Sequence, residues 1–382
     1  MVADRMKRVK GSPTVGLAGR VAELRAQGED VISLGGGEPD FPTPAHIVEA
    51  AKEALDQGFT KYTPSPGIPE LREAIAEQSA TRSGIPAKAE NVLVSSTKHA
   101  LFATVLAFAG PGDEVLVSDP GWVSYLPMVQ LAGATPVPVP TSEEDGFALT
   151  PEAVAERVSP HTRLLIVNTP NNPTGAVYGL PALRGLADLA ADHGFLILTD
   201  EIYERIIYQG QHHAVASFPG AFERTITVNG FSKTYAMTGW RLGWAVAPVD
   251  LLNSINTVQQ HSFTCATSFA QKGGVAAIRG PQEPLEAMVA EFERRKDLVV
   301  DGLREIPALE CAEPAGTFYA WARYDDDRDS ITMAETILEK ARVAVIPGVG
   351  FGREGEGRLR LSFATSTEDV KRALGRLREV LG

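Results

Sequence analysis

Cysteine is nearly absent from this chain: two in 382 residues, Cys265 and Cys311. They cannot build a disulfide framework and lack the close spacing of a metal site, so a reducing, cytoplasmic setting is expected, with no metal centre. Long apolar runs are also missing. A membrane helix needs roughly 20 apolar residues, whereas Ala100 to Gly110, among the longest runs here, breaks at Pro111. The basic start, MVADRMKRVKG, is followed by no apolar stretch and does not read as a signal peptide. Positive charge is in deficit, with 36 Lys+Arg against 48 Asp+Glu and a net charge of -12. That balance argues against nonspecific binding to nucleic acid or anionic membranes. There is no GxxxxGK[ST], no HExxH and no GxSxG, and no internal repeat or low-complexity segment.

What is present is an ordinary globular composition, 44% hydrophobic and 22% charged, sufficient for a large core. Its middle repeats one rhythm, a short apolar run ending in polar residues and then a helical pattern. Val92-Leu93-Val94 leads to Ser95-Ser96-Thr97, Val115-Leu116-Val117 to SDPGW, and Leu164 to Val167 to NTPNNPTG. Phe195 to Leu198 leads to TDEIY, and Thr225 to Val228 to NGFSK. Such runs predict a mostly parallel sheet covered by helices on both faces, an α/β architecture, with polar residues gathered at the carboxyl edge where ligands bind. The C-terminal third mixes strands such as RLRLSFA with amphipathic helices such as EFERRKDLVVDGLREI. It reads as a smaller α+β domain. The expected division is a large domain over residues 46–284 and a small domain over residues 1–45 and 285–382.

One familiar motif is present and rejected. Gly350-Phe351-Gly352-Arg353-Glu354-Gly355 matches GxGxxG, but an alternating strand follows where a dinucleotide site needs a helix. His212 and His213 fall in a polar loop and are expected to face solvent. The informative residues are spread over the strand ends. Taken singly each has a bland reading: Lys233 as a surface charge, Asp200 as a cap, Asn172 as part of a tight turn, Ser96 and Thr97 as caps, and Trp122 as core. Together, with Arg241 and Arg360, they supply an amine, a carboxylate, a phosphate cup, an aromatic plate and two guanidinium groups. Those are the parts a pyridoxal 5′-phosphate site requires.

In this order the motifs GGGEPDFPTP, KYTPSPGIPELREAI, PNNPTGAVY, DEIYE, FSKTYAMTGWRLGW and RLRLSFATS resemble the class I aminotransferases of the aspartate aminotransferase superfamily, along essentially the whole chain. The resemblance implies the type I pyridoxal-phosphate fold and a ping-pong transfer of an amino group from an amino acid to a 2-oxo acid. It makes Lys233 the Schiff-base lysine and proton carrier, Asp200 the partner of the pyridine nitrogen, and Tyr203 with Asn172 the partners of the ring oxygen. Trp122 would stack on the ring. Ser96, Thr97, Ser232 and Arg241 would hold the phosphate end, joined by Tyr62 from the second subunit of a homodimer with shared active sites. Arg360 would clamp the substrate α-carboxylate, and Gly37 would allow close backbone approach. Two departures stand out: Ser96-Thr97 occupies a place where many relatives carry glycine, and Gly230 one where serine is frequent.

Lys98 and Thr14 match positions that, in similar aspartate-specific bacterial enzymes, contact the distal carboxylate. The donor is therefore expected to be aspartate or another acidic amino acid, with 2-oxoglutarate as acceptor. Aminotransferases for aromatic, alanine or kynurenine-type substrates, carbon–sulfur lyases and aminocyclopropane synthases share the motifs and are the alternatives. Transcription regulators that join such a domain to a winged helix are disfavoured, because the pattern occupies the chain from near residue 12 onward.

Overall fold

A computed structural model describes residues 2–9, 11 and 13–382. Its strands, in chain order, are β1 (Ile32–Ser33), β2 (Val92–Ser95), β3 (Glu114–Asp119), β4 (Thr135–Pro140), β5 (Thr162–Asn168), β6 (Leu196–Asp200) and β7 (Thr225–Gly230). There follow β8 (Gly243–Val246), β9 (Leu309–Cys311), β10 (Tyr319–Tyr324), β11 (Val343–Ala344), β12 (Ile346–Pro347) and β13 (Arg358–Ser362). Seven of them form one sheet in the order β2-β8-β7-β6-β5-β3-β4. The pairs β3–β4, β3–β5, β5–β6 and β6–β7 are parallel, and only β8 runs against its neighbours β2 and β7.

Every residue of β2, β7 and β8 is buried, which is why these strands read as unbroken apolar or small-residue runs. Successive side chains take opposite faces. Val115 and Val117 of β3 pack with the helices Thr97–Phe108, Tyr125–Ala132 and Val249–Gln260, while Leu116 packs on the other face with the helix Leu180–His193. The three prolines of β4 (TPVPVP) are tolerated because that strand is the sheet edge, where a missing N–H breaks no ladder on its open side.

A second, four-stranded antiparallel sheet has the order β12-β13-β10-β9. The helices Glu283–Arg304, Ser330–Ala341 and Thr367–Leu381 bury Phe292, Ile337 and Leu374 beside it. The short parallel pair β1–β11 ties the N-terminal segment to this region, and Ser362 N–H donates to the Leu34 carbonyl at 2.6 Å. The predicted architecture, a helix-covered, mostly parallel sheet with a smaller α+β part, is the one observed. Among the described residues no helix is long and apolar enough to cross a membrane.

The GxGxxG segment is a pair of short turns between β12 and β13, with no helix opening on it. Gly352 has φ +135°, and a Cβ there would lie 2.0 Å from Asp119 Oδ1. Its bareness lets the buried Asp119 carboxylate accept the N–H groups of Arg353 and Glu354, each at 3.1 Å. His212 departs from expectation. Its side chain is only 11% exposed, with Nε2 at 3.0 Å from Oε2 of the buried Glu201. A buried carboxylate must find a partner, and the loop histidine is drawn inward to supply it.

Candidate active site

Strand direction gathers the polar residues. β2, β3, β5, β6 and β7 point one way, so the segments after them emerge at one sheet edge. β8 points the other way, and Arg241, just before it, reaches the same edge. A cavity of about 480 Å³ opens there. Thr97 and Lys98 line it from the end of β2, Trp122 from β3, Asn172 from β5, Asp200 and Tyr203 from β6, and Ser232 and Lys233 from β7. Thr14 and Gly37 close it from the N-terminal segment, and Arg360 reaches in from β13 of the second sheet.

Lys233 sits on a one-turn helix, Phe231–Thr234, and its Nζ donates to the Gly37 carbonyl. Burial drives its ammonium down from the ordinary 10.5 to about 8; Glu38 opposes the shift, while Arg241, Arg360 and Lys98 reinforce it. Asp200 is 4% exposed, and burial pushes its carboxyl up to about 6. It is restrained from rising further by the Tyr125 hydroxyl, which donates to Oδ2 at 2.7 Å, and by the Ile202 N–H, 3.3 Å from Oδ1. Asn168 Nδ2 fixes the Asp200 carbonyl at 2.9 Å and, through Oδ1, accepts the Asn172 N–H at 2.9 Å.

Arg360 is 2% exposed. Its Nη1 donates to Asn172 Oδ1 at 3.0 Å and its Nη2 to the Gly35 carbonyl at 2.9 Å, while Nε has no partner. The guanidinium lies 4.1 Å from the Tyr319 ring centroid and 4.9 Å from that of Phe351, two cation–π contacts. Tyr203 Oη meets Tyr319 Oη at 2.9 Å. Lys98 Nζ stands 4.8 Å over the Trp122 ring, and burial, then Arg241, lowers its ammonium.

Ser96 and Tyr62 do not line the cavity. The Ser96 hydroxyl accepts the His99 N–H at 3.3 Å and caps the helix Thr97–Phe108, while Tyr62 is 88% exposed in the single chain. Thr97 turns its Oγ1 toward the Asn229 carbonyl, at 3.3 Å. That hydroxyl occupies the space beside Gly230, where a Cβ would come within 2.2 Å of it and 3.0 Å of Gly243 Cα. Threonine at 97 and glycine at 230 are thus a matched pair. Gly230→Ala is expected to destabilise the fold by about 1–3 kcal/mol, and Thr97→Ala in the same chain to recover part of that loss, as measured by denaturant unfolding.

Lining residues that were not singled out from sequence include Glu38, Tyr125, Asn168, Thr238 and Tyr319. Glu38 Oε2 accepts the Thr238 hydroxyl at 2.7 Å. Tyr125 lies one helical turn beyond Trp122, a spacing that would have put both on one face, but an aromatic in an apolar helix reads as core. Tyr319 lies in a strand whose alternation says nothing about a hydroxyl partner.

The arrangement unites a partly neutral amine, a buried carboxylate and a fixed guanidinium around one cavity. The model of the aminotransferase class I and II family matches residues 29–377. An aspartate aminotransferase of Musicola paradisiaca is 43% identical over 385 residues, spanning 100% of this chain and 96% of that protein. An aromatic-amino-acid aminotransferase of Thermococcus litoralis is 45% identical over 363 residues, 93% of each. The solved structure of a Thermus thermophilus aspartate aminotransferase with maleate superposes with a TM-score of 0.95 at 43% identity, covering 100% of both chains. A likeness of this extent in sequence and in fold leaves one assignment: the chain belongs to the class I and II aminotransferases and is a transaminase of fold type I.

Proposed function

We propose that the protein transfers the amino group of aspartate to a 2-oxo acid such as 2-oxoglutarate, with pyridoxal 5′-phosphate as cofactor. The observation that carries this reading is the meeting of Lys233, Asp200 and Arg360 in one cavity. The donor set suits the cofactor. Asp200 is a buried carboxylate with no cation hydrogen-bonded to it, which fits a protonated ring nitrogen. The first N–H groups of the helix Thr97–Phe108 have no intrahelical acceptor, and with Arg241 they suit a phosphate. Trp122 offers a ring face, and Tyr203, Asn172 and Ser232 offer polar groups along the rim, with the Ser96 cap beneath.

When bound, pyridoxal 5′-phosphate supplies an aldehyde carbon that takes up the amino group and a ring that withdraws the electron pair released at the substrate Cα. Lys233 Nζ, with its ammonium lowered to about 8, is the base suited to take the Cα proton. Asp200 keeps the ring nitrogen protonated by accepting its hydrogen bond. Arg360 orients the α-carboxylate through its fixed fork, and the Tyr319 and Trp122 rings line the same cavity. Gly37 lets the main chain approach the substrate.

Lys98 and Thr14 support an acidic donor, as do the aspartate-named relatives and the dicarboxylate in the Thermus structure. Among the described residues Lys98 has no carboxylate partner, so its charge is available to a ligand. The test is direct. The purified protein, supplied with the cofactor, should convert L-aspartate and 2-oxoglutarate to oxaloacetate and glutamate; no conversion rejects the reading. Lys98→Ala should lower the aspartate-to-alanine ratio of kcat/KM by roughly 10- to 100-fold, the worth of one charge-assisted contact. An unchanged ratio removes the acidic donor. The Thermococcus litoralis relative favours a second reading, an aromatic donor, which the same assay with phenylalanine separates.

The proposal includes a homodimer in which Tyr62, 88% exposed and outside the cavity of its own chain, would reach the phosphate end of the second subunit's site. It includes residues 46–284 and residues 1–45 with 285–382 as large and small domains, a division supported by the seven-stranded and four-stranded sheets falling on either side of it. Free Cys265 and Cys311 support a cytoplasmic location.

A further inference from the structure

Asp200 can serve a ring nitrogen only as an anion, yet its surroundings oppose that form. It is 4% exposed, it is the last residue of β6, whose residues from Ile197 onward are all buried, and Glu201 beside it is itself only 1% exposed and adds like charge. Burial of an unpaired carboxylate favours protonation. The hydrogen-bond donors to its carboxylate decide how far that goes, and among the described residues there are two. The Ile202 N–H is long, at 3.3 Å to Oδ1. The Tyr125 hydroxyl is short, at 2.7 Å to Oδ2, and comes from a residue only 1% exposed.

We propose that Tyr125 is a positioning residue for Asp200: its hydroxyl occupies one carboxylate oxygen, holds the group ionised, and leaves the other oxygen directed to the cofactor's ring nitrogen. The inference rests on the cofactor reading above. The geometry is specific. Tyr125 begins the helix Tyr125–Ala132 one turn beyond Trp122, and the two rings meet edge to face with centroids 5.2 Å apart. One short segment after β3 therefore supplies both the ring proposed to cover the cofactor face and the hydroxyl that orients the carboxylate. Tyrosine suits the task because its hydroxyl donates at neutral pH. Burial, followed by the charge of Asp200, raises the phenol further, so it does not ionise in competition. The other titratable groups facing Asp200 are Glu201 and Tyr203 from its own segment and Lys233 from the segment after β7. None of these donates a hydrogen bond to its carboxylate.

Removing the hydroxyl should raise the Asp200 pKa above its present value of about 6. The anion then persists only at higher pH, so the loss is largest in acid and fades in alkali. The probe is pyridoxamine 5′-phosphate, which has no aldehyde to link to Lys233, titrated into full-length protein freed of cofactor and followed by fluorescence. Tyr125→Phe is expected to weaken binding roughly tenfold near pH 6.5 and to approach the unaltered protein near pH 8.5. In an Asp200→Asn background the same change should have little effect at either pH. Thermal unfolding of each variant checks that the fold persists, and the Asp200→Asn pair gives a comparison within a second folded background.

A loss of equal size at every pH, or an equal loss in the Asp200→Asn background, would mark Tyr125 as packing alone and overturn the inference. Binding unchanged by Tyr125→Phe would overturn it too, while sparing the cofactor reading. Failure of the unaltered protein to bind the probe would overturn both.

Discussion

Lys233→Ala lowers the rate of transamination by on the order of 10⁴-fold, the scale of a lost positioned base, and more where the covalent link is lost as well. The cavity offers no substitute. Its other cations are Lys98, Arg241 and Arg360. Lys98 stands over Trp122, 4.8 Å from its centroid, and the two guanidinium groups cannot act as bases near neutrality. Lys233 alone combines a cavity position with an ammonium lowered to about 8. The sign of its pH dependence follows. Below about 8 the amine is mostly protonated and above it mostly free. Uptake of pyridoxal 5′-phosphate by cofactor-free protein should therefore quicken as pH rises toward that value and level off beyond it. The assay is steady-state turnover with aspartate and 2-oxoglutarate, beside stopped-flow uptake. An alanine variant within tenfold of the unaltered rate would remove Lys233 from the chemistry.

The second large effect concerns shape rather than charge. Arg360→Lys keeps a cation but should lower kcat/KM for aspartate by roughly 10²–10³-fold, the worth of two charge-assisted hydrogen bonds made in a fixed plane. The plane is set before substrate arrives. Nη1 is tied to Asn172, Nη2 to the Gly35 carbonyl, and the guanidinium stands over the rings of Tyr319 and Phe351. A flexible ammonium keeps none of that geometry, and it leaves Asn172 Oδ1 and the Gly35 carbonyl without their donor in a buried site. Because the α-carboxylate is common to donor and acceptor, KM should rise for both. A loss for aspartate with none for alanine, which lacks a distal carboxylate, would instead associate Arg360 with the distal carboxylate.

The alternation of apolar runs and polar strand ends is local information, and it was enough to indicate the parallel sheet and the edge at which Asp200, Asn172, Trp122 and Lys233 would collect. A strand buried on both faces must be apolar throughout, so its end is marked by the first polar residues after it. The motif residues are likewise contiguous or nearly so, as in PNNPTG or FSKTYAMTGWRLG. The α-carboxylate role of Arg360 was legible only through resemblance, because it lies inside a strand of the second sheet, where its neighbours Leu359 and Leu361 say nothing about a cavity.

What the chain alone left open concerns pairs of residues far apart in sequence. Tyr125 meets Asp200 across 75 positions, Thr97 fills the space beside Gly230, and Tyr203 finds Tyr319 across 116. His212 turns inward because Glu201 is buried, and the Ser96 hydroxyl serves its own helix. The sequence by itself determined the five mutually parallel strands β2, β3, β5, β6 and β7 with their polar endings, and the residue types available for the chemistry, because periodicity and capping act over a few residues. Only the tertiary structure decided which hydroxyl faces which carboxylate and which side chain excludes another, because those distances depend on strand order and helix docking.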